Sequence, residues 1–436
     1  MESTIWRNWA DCAQARPHRI STPATVDAVR SEVLRAAEDG LRVKSVGAGH
    51  SFTSCAVTDG VLLDLDRLVG IESVRPTEGG TLVTVFAGTR LHELNRMLWS
   101  LGLAMTNLGD IDVQTVAGAI STGTHGTGAR FGGLATQVRG VQVVTADGSV
   151  LDCDADNNPE LFEAARLGLG AVGILTKLTL LCEPAFALHA IEAPDTLGAT
   201  LERLDHDRDS VDHFEFYWFP HTDRVLTKRN TRLPRTAKMA PLNPVRAYID
   251  DELLSNTVFE GVNRLAARRQ DLVPSINRLS SRVLSAREFT DRSYRVYASP
   301  RRVRFREMEY AIPVEALPRV LAELGRRLEL SGHKISFPVE VRFAQADDVW
   351  MSTAHGRDSA YVAVHQYHRL DHTAYFRDVE AIMRSVDGRP HWGKLHQRTA
   401  DDLRPAYPRF DDFVTVRDKV DPDRMFGNEY LERVLD

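Results

Sequence analysis

The sequence predicts an α+β protein of two domains, the second built on a large antiparallel sheet flanked by helices. Three observations carry this expectation. The chain has 436 residues, more than one simple core accommodates. Residues 1–185 alternate helix-like and strand-like stretches joined by glycine-rich turns. Residues 186–390 change character, with recurrent strands and a helix between them, before 391–436 returns to helices and loops.

In the first part, Thr25 stands as a cap before Val26, Val29, Val33 and Leu34, which follow helical spacing, and Gly40 lies beyond the end. Val43–Val46, Val61–Leu65 and Leu82–Phe86 read as short strands. Leu91, Leu94, Leu98 and Leu101 share one helical face, with Gly102 as the stop. Val141–Thr145 and Ser149–Leu151 flank Asp147-Gly148, a hairpin signal. Asn158-Pro159 opens a short helix, and Val172–Leu181 closes this part as a β-branched strand. In the second part, Ala199–Leu204 is helical and His213–Phe219 is an aromatic strand. A basic, proline-bearing segment covers 228–246 and a helical region 250–285. Strands follow at 306–312, 335–343 and 360–367, with a helix at 314–330.

Charge and composition exclude several classes. A net charge of -6 gives no reason to expect nucleic acid as a partner. Lys228, Arg229, Arg232, Arg235, Lys238 and Arg246 do cluster, but without interleaved aromatic residues for base stacking, and they read as a solvated loop. No run approaches the ~18 apolar residues of a membrane span, and the start, Met1 to Arg7, lacks the apolar core of a signal peptide. Cys12, Cys55, Cys153 and Cys182 are scattered, so neither a disulfide framework nor a metal site is expected, and the cytoplasm is the default location.

Three glycine clusters sit in the first part: Gly47-Ala48-Gly49-His50, Gly123-Thr124-His125-Gly126-Thr127-Gly128 and Gly168-Leu169-Gly170-Ala171-Val172-Gly173. Glycine lets a backbone approach a phosphate and point N–H groups at it, so three such clusters favour a dinucleotide over simple turns. A Rossmann site does not fit. Phe52 occupies the third glycine position, and a polar loop follows where the phosphate-binding helix should begin.

Specific residues carry a family resemblance. Val46-Gly47-Ala48-Gly49-His50-Ser51-Phe52 resembles the flavin-attachment segment of the vanillyl-alcohol-oxidase superfamily, flavoproteins with a PCMH-type FAD-binding domain. Gln114-Thr115-Val116-Ala117-Gly118, followed by Thr122-Gly123-Thr124-His125-Gly126-Thr127-Gly128, is similar to that family's second FAD-binding stretch. Glu307-Met308-Glu309-Tyr310, Glu340-Val341-Arg342 and Arg389-Pro390-His391-Trp392-Gly393-Lys394 resemble its sugar-lactone and alditol oxidase branch. The motifs fall in order over nearly the whole chain.

The resemblance implies a PCMH-type FAD-binding domain, a cap domain whose sheet covers the flavin, and a final segment returning to the FAD side. It implies FAD bonded covalently through His50, whose counterpart in many members is linked to the flavin 8α-methyl. A second tether through cysteine is not expected, since none lies between Cys55 and Cys153. The other cofactor contacts it implies are Val46, Gly47, Ala48, Gly49 and Ser51 in the first stretch. Gly109, Asp110, Thr115 and Gly118 follow, then Thr122, Gly123, Thr124, His125 and Gly126. Gly173, Ile174 and Lys394 complete the set. Thr115 has two open readings, a substrate hydroxyl partner or part of the FAD loop. A glycine matching Gly109 accompanies oxygen use in the lactone-oxidising branch, which implies release of hydrogen peroxide, although glycine before Asp110 is also an ordinary turn.

Alcohol oxidation on flavin sends a hydride to N5 while the hydroxyl loses its proton, and the protein must place the carbon and stabilise developing charge. Arg342 and Lys394 are the expected cations, the first a planar fork and the second a compact charge. Glu340 lies two residues before Arg342, on the same side of a strand, where it can bind substrate hydroxyls and hold the arginine. His365, on the next strand, is a further polar contact or proton carrier. The plain alternatives are a solvated sheet face and a structural histidine; Trp392 and Tyr367 read as packing, His391 as support for Lys394, and Glu309 has no assigned role. The expected substrate is an L-gulono- or L-galactono-1,4-lactone oxidised at C2 to an ascorbate-type product, with O2 or another electron acceptor. The alternatives are xylitol or sorbitol oxidised at the terminal carbon, and a lactone dehydrogenase that does not use oxygen.

Overall fold

A computed structural model describes residues 5–243, 258–282, 284–298 and 302–436. Met1–Thr4 of the start, Arg246 of the basic segment, and residues 250–257 and 283 of the helical region lie outside the described residues.

Among the described residues, the first part holds a two-stranded ribbon, Trp6–Arg7 with Gln14–Ala15, and two larger sheets. Strands Arg19–Ser21 and Val43–Val46 both run parallel to Val61–Asp64, which lies between them. Parallel neighbours need a crossover. Helix Val26–Glu38 supplies one, started by the Thr25 hydroxyl accepting from Ala28 N–H. The second sheet is antiparallel, in the order Val150–Asp154, Val138–Val144, Ile174–Pro184, Gly80–Phe86, Ile71–Thr77. Helices Leu91–Ser100 and Pro159–Ala165 begin and end near the positions read from their leucines and from Asn158-Pro159.

Among the described residues, the second part is built on one eight-stranded antiparallel sheet. Its order is Arg287–Arg292, Phe186–Thr196, Arg224–Pro234, His213–Trp218, Val339–Ala344, Ser359–Tyr367, Phe305–Pro313, Arg389–Pro390. The central strands alternate. Phe214, Phe216, Met308, Tyr310, Val341 and Val364 point to one face, where helices Leu317–Ser331 and Thr373–Arg384 cover them in a single apolar core. Glu215, Tyr217, Glu307, Glu309, Glu340, Arg342 and His365 therefore share the other face.

One expectation is overturned here. Lys228, Arg229 and Arg232 do not lie in a solvated loop; they sit on strand Arg224–Pro234 inside the sheet. Each meets a carboxylate, Glu215 at 3.4 Å, Asp207 at 2.5 Å and Glu183 at 2.9 Å respectively. Charge density concealed a strand whose other positions, Val225 and Thr227, are fully buried. Strands Ile71–Thr77, Phe186–Thr196 and Arg287–Arg292 and helix Thr373–Arg384 were also not anticipated. The 335–343 strand begins later, at Val339, directly after Pro338.

The last segment packs with the first part: Trp392, Tyr407, Phe410, Phe413, Phe426 and Leu431 share its core with Val43, Leu63 and Leu108. Val43 N–H donates to Met425 O, and the Asn428 amide spans the carbonyls of Ser54, Cys55 and Val57.

Candidate active site

Three chain segments meet around His50. Trp9 N–H donates to Gly49 O at 2.8 Å, and the Trp9 ring stacks on His50 at 5.3 Å. Phe52 N–H donates to Gly393 O at 2.7 Å, which brings the C-terminal loop beside the same turn. That loop runs along strand Phe305–Pro313: His391 N–H donates to Glu309 O and Leu395 N–H to Glu307 O, both at 2.9 Å. Lys394 is thereby placed against two carboxylates of the sheet. Its Nζ is 2.5 Å from Glu307 and 3.8 Å from Glu309, and it lies over the Phe52 ring.

These groups line one cavity of about 830 Å³ between the first part and the charged face of the large sheet. From the first part, His50, Ser51, Gly109, Asp110, Thr124 and His125 reach its wall, with Thr122 beside them. From the sheet and the last segment come Glu340, Arg342, His365 and Lys394. The four residues expected to carry the chemistry are thus brought together with the expected tether.

The other expected cofactor residues lie behind this wall. Val46 ends its strand, and Gly47, Ala48 and Gly49 form the turn that follows. Gly47 has an internal reason to be glycine, since a Cβ there would lie 2.2 Å from the Thr115 hydroxyl. Thr115 itself caps helix Val116–Ser121, its hydroxyl accepting from Gly118 N–H, and it does not line the cavity. Gly123 lies between the wall residues Thr122 and Thr124, and Gly126 packs under Leu108 O, 2.3 Å from where its Cβ would be. Ile174 opens strand Ile174–Pro184 of the first part's sheet, with Gly173 directly before it, and neither lines the cavity.

Arg342 is buried at the centre of one ionic cluster. Its guanidinium pairs with Glu340, with Glu215 at 3.1 Å and with Asp110 at 3.4 Å. Burial opposes its charge, but those three carboxylates outweigh burial and hold it well above the usual range. Burial likewise opposes ionised Glu215, and Lys228 with Arg342 holds its carboxyl below the usual range. The Tyr217 hydroxyl is 3.1 Å from Glu340. Glu215, Tyr217 and Lys228 escaped the sequence reading, although alternation along His213–Trp218 placed the first two on one face.

The second cluster surrounds Lys394. Glu309 Oε1 is 2.9 Å from His125 Nε2, and His365 Nε2 is 3.5 Å from Glu307. Burial works against the ammonium of Lys394, yet Glu307 and Glu309 keep its pKa above the ordinary value. It is a fixed cation and donor, unsuited to act as a base. Burial, aided by Lys394 and Arg90, lowers the His50 pKa to about 4, so its imidazole is neutral at neutral pH.

The wall fits a polar cofactor. Gln114 lies in it with Oε1 buried and unpartnered among the described residues, while its Nε2 donates to Thr124 at 3.1 Å. Together with the His50 turn and the Thr122–Gly126 stretch, this is a set of donors and acceptors in the parts of the chain that resemble FAD-binding segments.

Comparison with known proteins agrees. Residues 17–154 match the family described as FAD binding domain, and residues 178–434 match D-arabinono-1,4-lactone oxidase. The chain is similar to L-gulono-1,4-lactone dehydrogenase of Mycobacterium tuberculosis, 42% identical over 99% of each chain. It is also similar to L-gulonolactone oxidase of Bos taurus, 34% identical over 99% of this chain and 98% of that one. Among solved structures, a cholesterol oxidase of B. sterolicum shares the fold, with a TM-score of 0.83 at 18% identity over 99% of this chain and 96% of that one.

Proposed function

The chain belongs to the D-arabinono-1,4-lactone oxidase family, with an FAD-binding domain of the vanillyl-alcohol-oxidase superfamily, and from that premise we propose that it oxidises an L-gulono- or L-galactono-type 1,4-lactone at C2. It is an FAD-dependent oxidoreductase acting on CH–OH groups. The observation that carries the substrate reading is the pair of cations, Arg342 and Lys394, each pinned by carboxylates in the wall of the cavity that His50 also lines.

FAD, when bound, supplies the two-electron acceptor. His50 is its proposed covalent tether, a neutral imidazole with a lone pair free for bonding. Gln114, Thr124, Gly109 and Asp110, which line the cavity beside it, would hold FAD by polar contact. Arg342 and Glu340 bind the lactone's polar groups, Glu340 being aimed by the Tyr217 hydroxyl and by Arg342 itself. Lys394 stabilises the oxygen that becomes an alkoxide. His365, with Nδ1 3.1 Å from Pro338 O and Nε2 facing Glu307 at 3.5 Å, is the proposed carrier of the hydroxyl proton toward that carboxylate. Gly109 supports oxygen as the acceptor, with hydrogen peroxide released.

The three-part division at 185 and 390 is part of the same proposal, supported by the core that the last segment shares with the first part. Among the described residues no helix is long and apolar enough to cross a membrane. All four cysteines are free thiols, which favours the cytoplasm.

Anaerobic mixing with L-gulono-1,4-lactone tests the reading, followed near ~450 nm where flavins absorb. Bleaching is expected, with colour returning when air is admitted. Bleaching by xylitol or sorbitol but not by lactone would overturn the substrate assignment. Colour that returns only with an added acceptor would overturn the oxygen assignment.

A further inference from the structure

The cavity face of the large sheet carries a row of charged side chains set opposite one another on neighbouring strands. Arg287 faces Glu192, Glu192 faces Lys228, and Lys228 faces Glu215. The register that pairs Phe216 with Val341 continues the row from Glu215 to Arg342. Signs therefore alternate from strand to strand, and opposite charges paired across strands attract. Arg342 closes the row, and its fork is gripped at two ends. Nε donates to Glu215 Oε2 at 3.1 Å, while Nη2 pairs with Glu340 and Asp110, both in the cavity wall. Glu215 is buried and does not line the cavity. The plane of the guanidinium is thus set from behind the wall.

We propose that Lys228 is a positioning residue for substrate binding, which through Glu215 holds the Arg342 guanidinium in the plane where it meets the lactone. This rests on the reading of Arg342 as a cation that binds the lactone's polar groups. Lys228 is itself fixed: Nζ donates to Val296 O at 3.2 Å and lies 3.4 Å from Glu215 Oε1. The two oxygens of Glu215 therefore face different cations, Oε1 the ammonium and Oε2 the guanidinium. Without Lys228 the buried carboxylate is balanced by Arg342 alone and draws that counter-ion toward itself, away from the cavity. The Tyr217 hydroxyl does not take the place of the ammonium. It lies 3.3 Å from Glu215 Oε1 and 3.1 Å from Glu340, has one proton to give, and brings no charge.

Two rival roles use the same side chain. Lys228 also lines the cavity, where a direct contact with the lactone would use the one ammonium proton not aimed at Val296 or Glu215. It also stands opposite Glu192, where it would serve the sheet alone. Against the second, Glu192 already holds the Arg287 guanidinium through two hydrogen bonds, at 2.6 and 3.0 Å.

Anaerobic reduction of the FAD-loaded protein by L-gulono-1,4-lactone separates binding from the limiting rate of bleaching. Lys228→Met is expected to weaken binding about tenfold, with a far smaller change in the limiting rate. The 2-deoxy form of the lactone, which has no hydroxyl to oxidise, should show the same loss through its effect on the spectrum of the oxidised flavin. Lys228→Arg should keep binding close to wild type. Lys228→Met combined with Glu215→Gln should recover most of it, because the carboxylate that draws the fork away is gone. A direct contact between Lys228 and the lactone predicts no recovery, and that result would overturn the proposal. So would unchanged binding in Lys228→Met, or a fall in binding, rate and flavin content together in both Lys228→Met and Lys228→Arg, the mark of a role in the sheet alone. Should Lys228→Met not fold by itself, the comparison is made on the Glu215→Gln background. There Lys228→Met should change binding little, and a tenfold loss would sink the idea. If xylitol bleaches the wild-type protein and the lactone does not, the substrate reading alone falls, and xylitol takes the lactone's place in the same comparison.

Discussion

His50 shows how far one residue's environment decides its chemistry. Stacked on Trp9 and close to Lys394, it is held neutral, so its lone pair is available for a bond to carbon rather than occupied by a proton. His50→Ala should abolish the flavin fluorescence of the denatured gel band, while the Gln114 and Thr124 side of the cavity retains some FAD in the native protein. A fluorescent band that survives the substitution would place the tether elsewhere. His50, Arg342 and Lys394 were legible because their motifs are local runs of sequence. Glu215, which pairs with Arg342, and Lys228, which pairs with Glu215, belong to no such run, and only sheet pairing brings them together there.

Among elements, the strands of the large sheet carry the site by simple alternation. Glu307 and Glu309, like Glu340 and Arg342, face the cavity because residues two apart share a side, and the intervening Met308 and Val341 are buried under helices. In the basic run the charges mask this same period: Val225, Thr227 and Arg229 alternate with Leu226 and Lys228. The loop carrying His125 depends on a different constraint. Gly126 passes so close to the Leu108 carbonyl that Gly126→Ala must displace backbone, not a flexible side chain. We expect it to destabilise the protein by about 1–3 kcal/mol and to lower FAD retention, measured by thermal melting and by flavin content after gel filtration. An alanine variant with wild-type melting and full flavin would show that the loop has slack there.

For the molecule as a whole, the site exists only where the first part, the sheet and the last segment close on one another, and that closure buries histidines as neutral groups. His213 and His391 are lowered by burial to about 4, and His396 to about 3, from an ordinary value of 6.5. The unfolded chain therefore binds protons that the folded chain refuses. Their contribution to stability is fully present above the unfolded value and is lost as pH falls toward the folded one. Melting temperature should decline from about pH 6.5 downward, before the usual carboxylate range is reached. Glu215, Glu307 and Glu309, held below that range, would then add a second decline in more acidic solution. A melting temperature flat between about pH 7 and pH 5 would show that these histidines gain solvent or partners on protonation.

The sequence by itself determined the class of protein, its FAD-binding part, the helices marked by caps and leucine spacing, and the motif residues that line the candidate site. Those features are set by neighbours a few positions apart, which a linear reading can follow. The tertiary structure alone decided that the basic run is a strand and that Lys394 lies between two carboxylates. It also decided that Lys228 and Arg342 meet the two oxygens of one buried carboxylate, Glu215. Each of these depends on the burial of charge against partners distant in the chain, and a buried charge is stable only where the fold supplies its counterpart.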